Sequence, residues 1–265
     1  MKTVVSMCLK MFSRKWILTT LLVVLAMGVM ARLGKWQLDR LDQRRAFNAR
    51  VQEQLDAPLL ELSGEALDAD LDRMEYRQVS VTGEYDPDQQ VALRNQAMDG
   101  QWGVHLVTPL RISGSDRAVL VDRGWIPADD FTQGDWQKYN EPGVVGVQGV
   151  IRYSQSQADY GPRRDPTPAP GEGPLKTWNF VNVERIDQQV AYPLLPVYIQ
   201  QAPEPGWSGY PIRTQPEIEL SEGPHLGYAL QWFAFALILG GGYPFFIRRQ
   251  ESQKDDQKKL VERHV

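Results

Sequence analysis

The chain has 265 residues and a negative mean hydropathy, enough for one sizeable domain with anchors but too polar overall for a polytopic carrier. Its net charge of −4 lacks the basic footprint that nucleic-acid binding requires, so no nucleic-acid partner is expected. One cysteine, Cys8, excludes an intramolecular disulfide, and three histidines (His105, His225, His264) argue against a thiolate or multi-histidine metal site.

In chain order, residues 1–15 read as a cytoplasmic N-terminus and residues 16–33 as a first transmembrane helix. Ile17 to Ala31 is uncharged and nearly all aliphatic, and Arg32 ends the run. That length is close to the roughly 20 residues needed to cross ~30 Å of hydrocarbon. A backbone in lipid must satisfy its own polar groups, which requires a helix. The basic residues Lys2, Lys10, Arg14 and Lys15, with Val29-Met30-Ala31, also fit a cleaved signal peptide. Gln37 to Leu55 lacks Gly and Pro and carries a patchy apolar face of Leu38, Leu41, Val51 and Leu55, which predicts that the helix continues past the membrane.

Residues 34–224 are expected outside the cytoplasm as a mainly antiparallel β domain, the whole being a membrane-anchored α+β protein. Strand-like runs are Arg77–Tyr85, Gln90–Arg94, Val104–Ile112, Ala118–Trp125, Val144–Tyr153, Thr177–Val183 and Leu195–Gln201, each rich in β-branched residues and bounded by turn formers. Their spacing suggests an antiparallel sheet or open barrel. Glu184–Ala191 predicts a short helix. Gly161 to Pro174, crowded with Pro and Gly, predicts a mobile exposed loop whose Arg163 and Arg164 are a solvated pair.

Residues 225–247 form the second expected transmembrane helix, and residues 248–265 a cytoplasmic tail. Gly240-Gly241-Gly242 and Pro244 lie inside this span, where small residues allow close approach of another helix, such as the first span at Gly28, or a kink. Orientation follows from the flanks. Arg248, Arg249, Lys254, Lys258, Lys259 and Arg263 follow the span, whereas Glu217, Glu219 and Glu222 precede it, placing both termini inside. Arg32, Lys35, Arg40, Arg44, Arg45 and Arg50 oppose that orientation, but long domains translocate largely regardless of charge. The start carries no long Arg/Ser-rich amphipathic transit segment, which favours a bacterial inner membrane, with its lipid as a partner.

No nucleophile elbow, phosphate-cradling Gly loop or His-Glu-x-x-His occurs, and the plentiful Asp and Glu residues define no paired-carboxylate site. Three short patterns stand out. Leu33-Gly-Lys-Trp-Gln-Leu-Asp-Arg40 follows the first span, and its purely structural reading is an interfacial Trp with snorkelling cations. Val119-Leu-Val-Asp-Arg-Gly-Trp-Ile-Pro127 reads as a buried strand with Arg123 held by backbone carbonyls at a corner. Glu222-Gly-Pro-His-Leu-Gly-Tyr-Ala-Leu-Gln-Trp-Phe233 opens the second span.

Together with Tyr76-Arg77, Leu93-Arg-Asn95, Gly100, Gly103 and Val107-Thr-Pro109, these patterns and their order make the chain resemble the surfeit locus protein 1 family of cytochrome oxidase assembly factors. Because the Gly34 motif abuts the first span, the resemblance implies a retained anchor. Asp122 departs from the family, which usually has Asn there. The resemblance implies a non-enzymatic role in maturing haem-copper cytochrome c oxidase, when haem a enters the largest subunit. It implies partnership with cytochrome c oxidase subunit 1 and the haem a synthesis machinery.

It also suggests His225 as a transient ligand to haem iron. Pro224 suits a first helical turn, which puts His225 at the outer membrane surface, with Tyr228, Ala229 and Trp232 at i+3, i+4 and i+7 on the same face. An imidazole above that face could coordinate iron while Tyr228 and Trp232 receive a flat macrocycle. The structural reading is an interfacial His bonded to headgroups or a carbonyl. Two other functional readings stand beside haem handling. One is a cofactor-free scaffold stabilising an oxidase subunit, the other a periplasmic ligand-binding domain on two anchors.

Overall fold

The computed structural model describes residues 11–156, 165–168 and 173–262. The chain divides into two compact units. One runs from Arg50 to Glu219, and the other joins the terminal segments up to Ala49 and from Leu220.

Helix α1 is a single 40-residue rod, Ile17–Asp56. Its second half contains neither Gly nor Pro, and it stops just before Ala57-Pro58, where Pro disfavours the helical region for its predecessor. The β unit follows: β1 (Leu60–Glu61), β2 (Gln78–Tyr85), β3 (Val91–Met98), β4 (Gln101–Ile112) and β5 (Ala118–Pro127). Then come α2 (Ala128–Thr132), β6 (Val144–Tyr153), β7 (Thr177–Trp178), α3 (Val183–Asp187) and β8 (Leu194–Gln201). Helix α4 closes the chain as a second rod, His225–Glu262, with Pro244 inside it.

The strands form one sheet ordered β1-β2-β6-β8-β5-β4-β3-β7, and β2 also pairs with β4. That extra pairing closes β2, β6, β8, β5 and β4 into a five-strand ring. An odd ring cannot have every neighbour antiparallel, so one pair must be parallel. Here it is β5 with β8; the other four pairs of the ring are antiparallel. Closure depends on Gly83, which sits opposite Ile112. A Cβ there would fall 2.2 Å from the Arg111 carbonyl oxygen.

Alternation sends Val79, Val81 and Tyr85, Val119 and Val121, Val147 and Ile151, and Leu195, Val197 and Ile199 into one buried cluster. Side chains therefore fill the ring. Strand β5 is buried on both faces. Leu120 packs outward on Trp178, Val183 and Ile186, and Ile126 packs under Phe131, Trp136 and Tyr139.

The expected β domain between two apolar helices is present, with two local differences. Only Thr177–Trp178 of the predicted run 177–183 pairs as a strand, because Asn182 caps α3 by accepting from the Arg185 N–H at 3.1 Å. The helix then ends at Asp187, whose carboxylate takes the Leu194 N–H at 2.7 Å and starts β8. Of the predicted loop 161–174, residues 161–164 with Arg163 and Arg164, and residues 169–172, lie outside the described residues. Asp165 is pinned: its Oδ1 accepts from the Asn179 side-chain amide at 2.9 Å, and Arg185 donates to its carbonyl at 3.2 Å.

Candidate functional site

The terminal unit is an antiparallel helix pair. On α1 the positions Trp16, Thr20, Val23, Met27, Met30, Gly34, Gln37, Leu41, Arg44 and Asn48 are buried or half-buried. Their spacing alternates four and three, the 3.5-residue repeat of a coiled-coil seam. Ala229, Phe233, Ala236, Gly240, Tyr243, Ile247 and Gln250 repeat it on α4. The contacts run in order along both helices. Trp16 Nε1 donates to Glu251 at 3.0 Å, Thr20 and Tyr243 share a hydrogen bond of 2.7 Å, and Met27 lies against Gly240. A Cβ on Gly34 would sit 2.7 Å from the Phe233 ring. Arg45 grips Glu222 through two bonds of 2.7 and 2.9 Å and holds that carboxyl below its usual range. Asn48 donates to the Leu220 carbonyl at 2.6 Å.

The sequence reading offered Gly240-Gly241-Gly242 on the second span, with Gly28 on the first, as the small residues in this packing. Gly28 instead faces open space, and Gly34 and Gly240 make the close approaches. Outside the seam the apolar side chains are bare: Leu18 is 69% exposed, Leu25 64%, Leu237 76% and Ile238 70%.

This seam brings the first and third sequence patterns together. His225 Nδ1 lies 2.8 Å from Gln37 Oε1, and the imidazole is half-buried. An amide oxygen only accepts, so Nδ1 donates this bond, and in the neutral ring Nε2 is the nitrogen that holds the lone pair. Gly223, in the left-handed region at φ +67°, leaves the space beside Nε2 without a side chain; a Cβ there would come within 3.6 Å. Tyr228 is 48% exposed, and Trp232 is half-buried, edge-on to Phe235 at 6.2 Å. Ala229 is fully buried in the seam, so it is not on offer to a ligand as the helical spacing suggested.

The second pattern builds a different site inside the β unit. His105 on β4 and Asp122 on β5 meet at 2.9 Å, with side chains 16% and 8% exposed. Burial opposes charge on the imidazole, but the Asp122 carboxylate outweighs it and holds the His105 pKa above its ordinary value. Asp122 also accepts from the Gly124 N–H at 3.0 Å. Arg123 is fully buried over the Tyr85 ring. It donates to Gln90 at 3.0 Å, to Glu141 at 2.8 Å and to the Tyr139 carbonyl. One backbone carbonyl is thus part of its shell, as expected, but Gln90 and Glu141 were not legible. Glu141 also receives Arg213 at 2.8 Å, and Arg213 is held by Glu204 at 2.5 Å under Trp207. Two clefts of about 320 and 290 Å³ open on this unit, and neither is lined by histidine. His264 and Cys8 lie outside the described residues. Among the described residues no group of three or more His, Cys, Asp and Glu converges as a metal site.

Comparison with known proteins matches residues 24–237 to the SURF1 family. A SURF1-like protein of Monosiga brevicollis is 26% identical over 228 residues, covering 82% of this chain and 83% of its own. One from Rickettsia felis is 28% identical over 231 residues, covering 83% and 93%. Surfeit locus protein 1 of Homo sapiens is 23% identical over 237 residues, covering 84% and 73%. With the match spanning the β unit and part of each long helix, the chain belongs to the SURF1 family.

Proposed function

We propose that the protein is a membrane-anchored assembly factor for haem-copper cytochrome c oxidase, which carries haem a, as cargo, toward the largest subunit without catalysing a reaction. Helices α1 and α4 cross a bacterial inner membrane, both termini are cytoplasmic, and residues 34–224 lie in the periplasm. Bare apolar faces on both helices support the anchoring, since lipid is the solvent that such faces fit.

The observation that carries the haem reading is the Gln37–His225 hydrogen bond. A haem needs one well-aimed imidazole rather than a ligand cluster, and a ring fixed through its far nitrogen is the arrangement typical of metal-bound histidine. Tyr228 and Trp232 on the same helix face supply ring surface to the macrocycle. In the β unit His105 is buried against Asp122, and the clefts of about 320 and 290 Å³ are not lined by histidine, which supports the helix pair as the place for the cargo.

Deleting the gene in a bacterium that depends on a haem a oxidase tests the role. The expected result is lower oxidase activity and less haem a in subunit 1, restored by the full chain. A second reading, a cofactor-free scaffold, rests on Trp102, 69% exposed at the tip of the β3–β4 hairpin where a protein partner could cover it. Co-purification of oxidase subunits with a haem-free protein would select it.

A further inference from the structure

The cations that follow the first span are not equivalent. Lys35 is neutralised by Asp39 at 2.8 Å, and Arg45 by Glu222 at 2.7 Å. Among the described residues Arg40 has no carboxylate partner. It donates to the neutral amide of Gln43 at 3.0 Å and lies over the Trp36 ring, 5.7 Å from its centroid. It is exposed. A stacked guanidinium is held in place while most of its five donors stay available.

Helical spacing places Arg40 one turn beyond Gln37, three residues and about 4.5 Å of rise farther along α1. Residues 33, 37 and 40 share one face of α1, and residues 225, 228 and 232 share one face of α4. The Gln37–His225 bond sets these faces side by side. Along that side the groups are graded. Trp232 and Tyr228 lie toward the lipid, the His225–Gln37 pair lies between, and Arg40 lies on the outer side.

We propose that Arg40 is the anion anchor of the His225 site and binds a carboxylate on the edge of the ligand. The ligand class is then a planar macrocycle with an apolar body and acidic side chains, held ring-inward and acid-outward. This rests on the reading of His225 as a haem ligand. It also accounts for an arginine on the outer side of a membrane helix, where charge rules disfavour it.

The test is an absorbance titration of the full chain in discs of neutral lipid, with ferric protohaem and with its dimethyl ester, whose carboxylates are capped. Arg40→Gln should weaken protohaem binding about tenfold, the loss expected for one charge-assisted pair, and leave ester binding within about twofold. The His-ligated spectrum should not move, and Arg40→Lys should recover part of the loss. An equal loss for acid and ester would overturn the anchor while leaving the His225 reading in place. A loss that appears only in anionic-lipid discs would assign Arg40 to lipid phosphate and overturn it too. Failure of the unaltered chain to bind either probe would overturn the His225 reading, and the anchor with it.

Discussion

Two histidines, one in each unit, are each held through Nδ1 but by opposite chemistry. His105 faces a buried carboxylate, Asp122, which favours the imidazolium over the neutral ring. His225 faces a neutral amide, Gln37, which fixes the tautomer and leaves Nε2 its lone pair. The first arrangement is a buried structural pair within the β unit. The second is, on the proposed reading, a haem ligand at a helix seam. The partner, more than the histidine, decides what the ring can do.

The largest way to break this contrast is Asp122→Ala. It leaves an unpaired buried imidazole and an unmet Gly124 N–H, costing the β unit about 3 kcal/mol. Thermal unfolding of the full chain should show a domain transition many degrees lower, with haem affinity at His225 unchanged. Gly34→Leu strikes the other region. Overpacking against Phe233 should cost about 1–3 kcal/mol, seen as lost crosslinking between cysteines placed at 27 and 240. Gln37→Ala removes the tautomer control and should weaken haem binding at least tenfold while the helix pair still crosslinks.

Smaller effects come from pH. The His105 pKa is raised on folding, so its contribution is complete below the ordinary value of 6.5 and is lost as pH rises through the raised one. The β-unit melting temperature should fall over that interval, and His105→Asn should flatten the dependence. Asp122→Asn, which removes the carboxylate but keeps the side chain's shape, should flatten it as well. A slope that persists in both variants would place the titrating group elsewhere.

Much of this fold is legible in the sequence because contrast is local. Alternation at Val79, Val81 and Tyr85, or at Val145, Val147 and Ile151, marks a strand with one wet face. Helix α1 from Gln37 to Leu55 announces itself by lacking Gly and Pro. The seam is the reverse case. Thr20, Met27 and Gly34 recur every seven residues, but inside a run that is apolar on every side, so the repeat has little polar background to stand against. The partners of Arg123 were hidden for another reason: Gln90 and Glu141, and the Arg213 that shares Glu141, arrive from separate loops, and no short-range pattern links them. His225 could be singled out from its place at the start of the second span, but its neighbour Gln37 could not be assigned to it, because 188 residues separate the two.

The contrast between the two histidines reduces to one measurement, the absorbance spectrum of the full chain produced together with a haem a synthesis pathway, for the unaltered protein and for His225→Ala and His105→Ala. The account predicts a His-ligated haem a spectrum that is lost in His225→Ala and kept in folded His105→Ala. A spectrum that survives His225→Ala, or no haem in the unaltered protein, would contradict it.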